Sequence, residues 1–188
     1  MSTGIIIIIV IVVLIALLGC IFAGMYNGLV KKRIRCEESF STMDVYMKKR
    51  YDLIPNIVET VKGYANHEKE TLENVIKARN MAAASSGAEE QIANDNILSG
   101  TLKSLFAVAE AYPDLKANAN FMELQSRLSA IEEDIANSRK YYNATVREFN
   151  TDIEVFPKNI VASMFKFEKK PMYEIQNEAG REPVKVQF

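Results

Sequence analysis

His67 is the only histidine in this chain, and the residues around it decide whether it can do chemistry. His67-Glu68-Lys69-Glu70 lacks the second histidine at helical spacing that a zinc site, or a base beside a nucleophile, requires. It reads as an exposed helix residue. The cysteines, Cys20 and Cys36, are too few for a disulfide framework or a four-ligand zinc site. Serines and threonines are present, yet no glycine-rich elbow, phosphate loop or paired base accompanies them. Asp and Glu recur at helical spacing, as a solvated helix face does. Asn143-Ala144-Thr145 matches a glycosylation sequon but falls inside a long helical stripe, where chance accounts for it. No catalytic residue, metal ligand or cofactor site is therefore assigned.

The elements that would position these residues begin with a membrane segment. Ile5 to Tyr26 contains only apolar residues with Gly19 and Gly24, and at ~1.5 Å per residue such a run crosses a hydrocarbon core of ~30 Å. Leu17-Leu18-Gly19-Cys20 is similar to a lipoprotein box, but the cations follow the run, whereas a secretory leader carries them ahead of it. Those cations, Lys31, Lys32, Arg33 and Arg35, place the C-terminal side in the cytoplasm and the N-terminus outside. With Lys48, Lys49 and Arg50 they outnumber Glu37, Glu38 and Asp44, which fits either a basic stalk whose base touches anionic headgroups or topology signalling alone. The whole chain of 188 residues carries a formal charge of −1, which removes the global electrostatic case for nucleic acid. Within the span Ala16, Cys20, Gly24 and Gly28 recur every four residues, a small-residue face on which two helices can approach closely.

Beyond the span the apolar period is helical. Phe40, Met43, Met47, Tyr51, Ile54, Val58, Val61 and Ala65, then Leu72, Ile76 and Met81, step mostly by three and four. Pro55 lies within this stripe without shifting its phase, so it either kinks one helix or starts another, with Asp52 and Asn56 able to cap the backbone groups it frees. Ala82 to Ala88 has the composition of a connection. Ile92, Leu98, Leu102, Leu105 and Val108 form the next stripe, which ends at Tyr112-Pro113-Asp114. The clearest seam runs Phe121, Leu124, Leu128, Ile131, Ile135, Ser138, Tyr142, then Val146, Phe149, Ile153 and Phe156, a coiled-coil-like pattern with a stutter. Asn120 and Glu123 suggest a capping box at its start and Phe156-Pro157 a stop. The expected fold is all-α: residues 1–4 as a short external N-terminus, 5–26 as a transmembrane helix, 27–167 as an elongated antiparallel helical bundle, and 168–188 as an extended tail. In that tail Pro171, Gly180, Pro183 and the Val184–Phe188 alternation suit a segment that packs on a neighbour.

Several blocks, in order, resemble the bacterial LemA family. They are Tyr26-Asn27-Gly28-Leu29-Val30; the run from Met43 to Val61, which holds Arg50-Tyr51-Asp52-Leu53-Ile54-Pro55-Asn56; His67-Glu68; Ala109 to Asn118, which holds Tyr112-Pro113; Asn120-Phe121; Arg139-Lys140-Tyr141-Tyr142-Asn143; Asn150; and Phe156-Pro157. Lys166 stands between Phe165 and Phe167 where the family often has glycine, and Gln187 precedes Phe188 where an acid is common. The resemblance implies a single-pass protein of the bacterial inner membrane, with a cytoplasmic all-α domain and no established enzymatic activity. The expected function is a non-enzymatic scaffold that contacts the lipid bilayer and forms a homo-oligomer at the cytoplasmic face. The alternative is an adaptor or regulator of another membrane protein, such as an envelope quality-control enzyme.

Overall fold

A computed structural model describes residues 3–174 and contains six helices. They are α1 (Thr3–Lys62), α2 (Lys69–Ala83), α3 (Ala88–Glu110), α4 (Pro113–Lys116), α5 (Ala119–Glu154) and α6 (Lys158–Met164). No strand occurs among the described residues, and the fold is all-α. The terminal alternation at Val184–Phe188, Gly180 and Pro183, like Met1 and Ser2, lies outside them.

The chain forms two compact units. Among the described residues, the first comprises 3–41 and 140–172, the second 42–139 and 173–174. α1 and α5 contribute residues to both. In the first unit Leu29, Cys36, Val146, Phe149 and Val161 are buried, while the apolar side chains from Ile5 to Ile21 stand exposed along α1. An uncovered helix of that length and apolarity is suited to lipid and not to a protein core. The chain is in this sense membrane-anchored.

In the second unit Met43, Met47, Tyr51, Ile54, Ile57 and Val61 of α1 are buried with Leu98, Leu102 and Leu105 of α3 and with Phe121, Leu128 and Ile135 of α5. α1 continues through Pro55, so the helix is not broken there. Pro55 has no N–H, which leaves the Tyr51 carbonyl four residues earlier without its helical donor. Arg79 Nε of α2 donates to that carbonyl at 3.0 Å. Asp52 and Asn56, expected to serve this backbone, do not: Asp52 lies 3.9 Å from Arg79 Nη2, and Asn56 only accepts the Thr60 hydroxyl on its own carbonyl at 2.8 Å.

Four further expectations change. His67 is exposed but sits in the turn between α1 and α2, because α1 ends at Lys62. The interruption resets the helical phase: α2 buries Leu72, Val75, Ala78 and Ala82, and leaves Met81 exposed. α5 starts one residue before Asn120, and its cap is Asn118, whose Oδ1 accepts the Phe121 N–H at 3.0 Å. At the other end α5 stops at Glu154, so Phe156 is past the helix and is 79% exposed, not part of the seam.

One departure from family pattern has a local reason. Phe167 N–H bonds to the Ala162 carbonyl at 2.9 Å and Lys166 N–H to that of Ser163 at 3.3 Å, a Schellman closure of α6 with Lys166 at φ 53°. Glycine suits that left-handed position, because it lacks the Cβ that clashes there.

Candidate functional site

The most unusual chemistry in the second unit is a charged centre closed off from solvent. Arg50 of α1 and Asp95 of α3 are both 0% exposed and paired. Asp95 also accepts from Arg139 of α5 and from the Tyr173 hydroxyl, while Arg50 Nη1 bonds Glu132 Oε1 of α5 at 2.8 Å and the Ser99 hydroxyl at 3.3 Å. Two guanidinium groups thus meet two carboxylates. The Arg139 guanidinium lies 4.2 Å from the centroid of the Tyr173 ring, and that of Arg50 lies 5.7 Å from the Tyr51 ring. Burial pushes the Tyr173 phenol up to about 12, against the pull of Arg139 and Arg50. Burial likewise raises Tyr51, with Arg50 opposing. Next to this centre Gln91 of α3 donates to Asp44 of α1.

The chemistry this arrangement supports is structural. A catalytic carboxylate must reach substrate, whereas Asp95 has no exposed surface and its charge is spent on Arg50 and Arg139. Among the described residues no group of three or more His, Cys, Asp or Glu is placed to hold a metal. Sequence periodicity overlooked Asp95, Glu132, Arg79 and Tyr173. Asp95 did leave a signal: it falls midway between Ile92 and Leu98, at the inward step of the α3 stripe, where an acid must find a partner.

The family-motif residues mostly position backbone. Asn118 Nδ2 donates to the Tyr64 hydroxyl at 2.8 Å, and Phe121 is buried behind that cap. Tyr112 and Pro113 open α4, with Pro113 in its first turn. In the first unit the Tyr142 hydroxyl donates to the Pro171 carbonyl at 2.8 Å, and its phenol is pushed up to about 12 by burial. The Asn150 side-chain amide both donates to the Lys170 carbonyl and accepts the Lys170 N–H, each at 2.9 Å. These bonds strap residues 170–171 onto α5. Asn143 is half-buried, and Pro157 is exposed beside Phe156.

The four membrane-flanking cations have different surroundings. Lys31 is exposed. Lys32 bridges Glu148 at 2.9 Å and Asp152 at 2.8 Å. Burial alone would raise Asp152, but hydrogen bonds from Lys158 and Lys32 hold it below its ordinary value. Arg33 lies 5.3 Å from the Phe167 ring centroid, and Arg35 Nε donates to the Tyr141 hydroxyl at 3.2 Å. On the small-residue face Ala16, Cys20 and Gly24 are exposed and Gly28 is half-buried. A Cβ placed on Gly24 or Gly28 would meet no atom within 4 Å. Cys36, by contrast, is buried, and burial pushes its thiol up, away from reactivity.

A second feature of the second unit is an open groove of about 990 Å³ between the end of α1 and α2. Pro55, Val58, Leu72, Ile76 and Met81 supply apolar lining, with Glu59, Lys62, Lys69, Glu73 and Lys77 also on its walls.

Comparison with known proteins yields a family model described as the LemA family, matched over residues 39–188. The chain is 26% identical over 146 residues to Protein LemA of Metamycoplasma hominis, across 76% of this chain and 65% of that protein. It is 29% identical over 98 residues to Magnetosome proteins MamQ 1 and MamQ 2 of Paramagnetospirillum magneticum, across 52% of this chain and 36% of each relative. The chain therefore spans less than two thirds of the length of these curated relatives.

Proposed function

The chain belongs to the LemA family, and from that footing we propose that it is a non-enzymatic scaffold, anchored by α1 in a bacterial inner membrane and self-associating at the cytoplasmic face. The observation that carries this reading is the uncovered apolar length of α1, with Ala16, Cys20 and Gly24 exposed and open space over Gly24. In lipid, close backbone approach gains dispersion contacts at such a face. Tethering many copies to one surface raises their effective concentration, so weak contacts between the cytoplasmic domains add to those in the span. The sealed Arg50–Asp95 centre favours a non-enzymatic role, because its charges are spent on one another.

The test is the mass of the full-length chain in mild detergent. A homo-oligomer is expected, with Gly24→Leu reducing it and deletion of residues 1–30 releasing monomers. A monodisperse monomer whose helices remain folded overturns the scaffold. A reporter fused after Phe188 is expected in the cytoplasm, and cleavage of the domain by external protease in intact cells would reverse the orientation. The groove between α1 and α2 favours a second reading, an adaptor or regulator of another membrane protein, whose apolar segment would fill it.

A further inference from the structure

We propose that α6 and the turn after it form a second membrane-contacting surface, seated in the interfacial layer of an anionic bilayer where α1 leaves the hydrocarbon. Every residue involved belongs to the first unit. α6 buries Val161 and Ala162 on one side. On the other, Ile160 and Met164 lie four residues apart at 49% and 64% exposure, Phe165 follows at 50%, and Phe156, just ahead of the helix, is 79% exposed. Four large apolar side chains around a seven-residue helix are far more than such an element needs to leave in water.

The position of this patch identifies what covers it. The Phe165 ring centroid is 4.5 Å from that of Tyr26 and 6.4 Å from that of Phe22, the last two aromatic residues of the apolar run. Aromatic rings at the end of a span belong at the level of the headgroups. From Tyr26 to the first cation, Lys31, α1 rises only ~8 Å at ~1.5 Å per residue, so the patch and the span share one interfacial layer. Charge fits the same occupant. Lys166 is exposed beside Phe165, Lys31 is exposed, and Arg33 lies over the Phe167 ring. Nearby acids are largely held by lysines: Asp152 by Lys32 and Lys158, and Glu154 by Lys169, which leaves Glu168 as an exposed acid. A surface with apolar side chains and lysines at its edge gains from acyl chains and from anionic lipid together. This inference rests on anchoring by α1 and not on self-association.

The chain has no tryptophan, so a single substitution gives a fluorescent probe without background. The full-length chain is placed one copy per lipid nanodisc, in phosphatidylcholine with about one third phosphatidylglycerol. Met164→Trp and Phe156→Trp report on the patch, and Met122→Trp, at an exposed α5 position of the second unit, reports on water. Brominated acyl chains are expected to quench the two patch probes by about half, and aqueous iodide to quench them roughly threefold less than Met122→Trp. Lys166→Glu should raise iodide access at Met164→Trp. Iodide access at the patch equal to that at Met122→Trp overturns the proposal. Shielding from both quenchers overturns it too, because protein and not lipid would then cover the patch. With one chain per disc, neither outcome depends on whether the scaffold reading holds.

Discussion

Removing the Asp95 carboxylate is expected to destabilise the second unit more than any truncation of a surface charge. Asp95 receives Arg50, Arg139 and Tyr173, and neither it nor Arg50 has exposed surface. In Asp95→Ala the Arg50 guanidinium keeps only Glu132 and Ser99, and Arg139 loses its buried partner. Breaking one partner of a buried pair costs about 3–5 kcal/mol, because the remaining charge is stranded. Two guanidiniums share the loss, so the upper part of that range is expected, against a whole-domain stability of about 5–15 kcal/mol. Replacing both members of the fully buried pair is different: Arg50→Met with Asp95→Leu strands no fully buried charge, leaving the partly exposed Glu132 and Arg139 to find water. The double variant should therefore recover at least 2 kcal/mol of the single-variant loss, roughly half of it. Urea unfolding of the full-length chain in detergent, followed by circular dichroism, compares the wild type, Asp95→Ala and the double variant. A loss under about 1 kcal/mol for Asp95→Ala, the value of an exposed pair, would refute the reasoning.

Arg79→Ala should cost about 1–2 kcal/mol by orphaning the Tyr51 carbonyl, and the loss should vanish in a Pro55→Ala background, where a helical N–H returns; equal losses in both backgrounds would separate Arg79 from Pro55. Lys166→Gly relieves about 1 kcal/mol of left-handed strain and gives back several tenths to the freer unfolded chain, a net gain of roughly 0.5 kcal/mol read as a higher urea midpoint. Tyr142 and Tyr173 have folded pKa values raised to about 12, above the unfolded value. Their contribution to stability is thus complete below the unfolded pKa of about 10 and is lost as pH rises through the folded one. Urea midpoints should fall between about pH 10 and about pH 12, and Tyr173→Phe together with Tyr142→Phe should flatten that slope.

The helices were legible because burial on one face imposes a period. The three-and-four spacing locates α3 and most of α5, and it fails where a helix stops. Phe156 continues the arithmetic of the α5 seam, but past Glu154 there is no helix to carry it inward. In the same way the turn at Gly63–Glu68 resets the phase, so Val75 is buried and Met81 is not. The candidate centre was half legible: Arg50 belongs to a recognisable motif, and Asp95 interrupts an apolar register. Its pairing was not, because Arg50 and Asp95 lie on different helices and no local rule sets which inward charges meet. Arg79 is the extreme case, since its partner is a carbonyl vacated by a proline 24 positions earlier.

That division explains what the buried charges add to a fold whose apolar residues already form helices. In the α5 seam Phe121, Leu128, Ile135 and Tyr142 stand a heptad apart, so sliding the helix by seven residues still sets one large apolar side chain in the place of another. A slide of α5 by seven residues moves Glu132 and Arg139 by ~10 Å along the helix axis. Arg50 then loses Glu132, and Asp95 loses Arg139, while both remain in the interior. At about 3–5 kcal/mol for a stranded buried charge, the slipped register is disfavoured by an amount comparable to much of a domain's net stability. The Arg50–Asp95 centre therefore adds a charge penalty against a slipped register to whatever packing loss the apolar stripe imposes. The scaffold proposed above would need this, because its presented surfaces must fall at fixed positions along each helix.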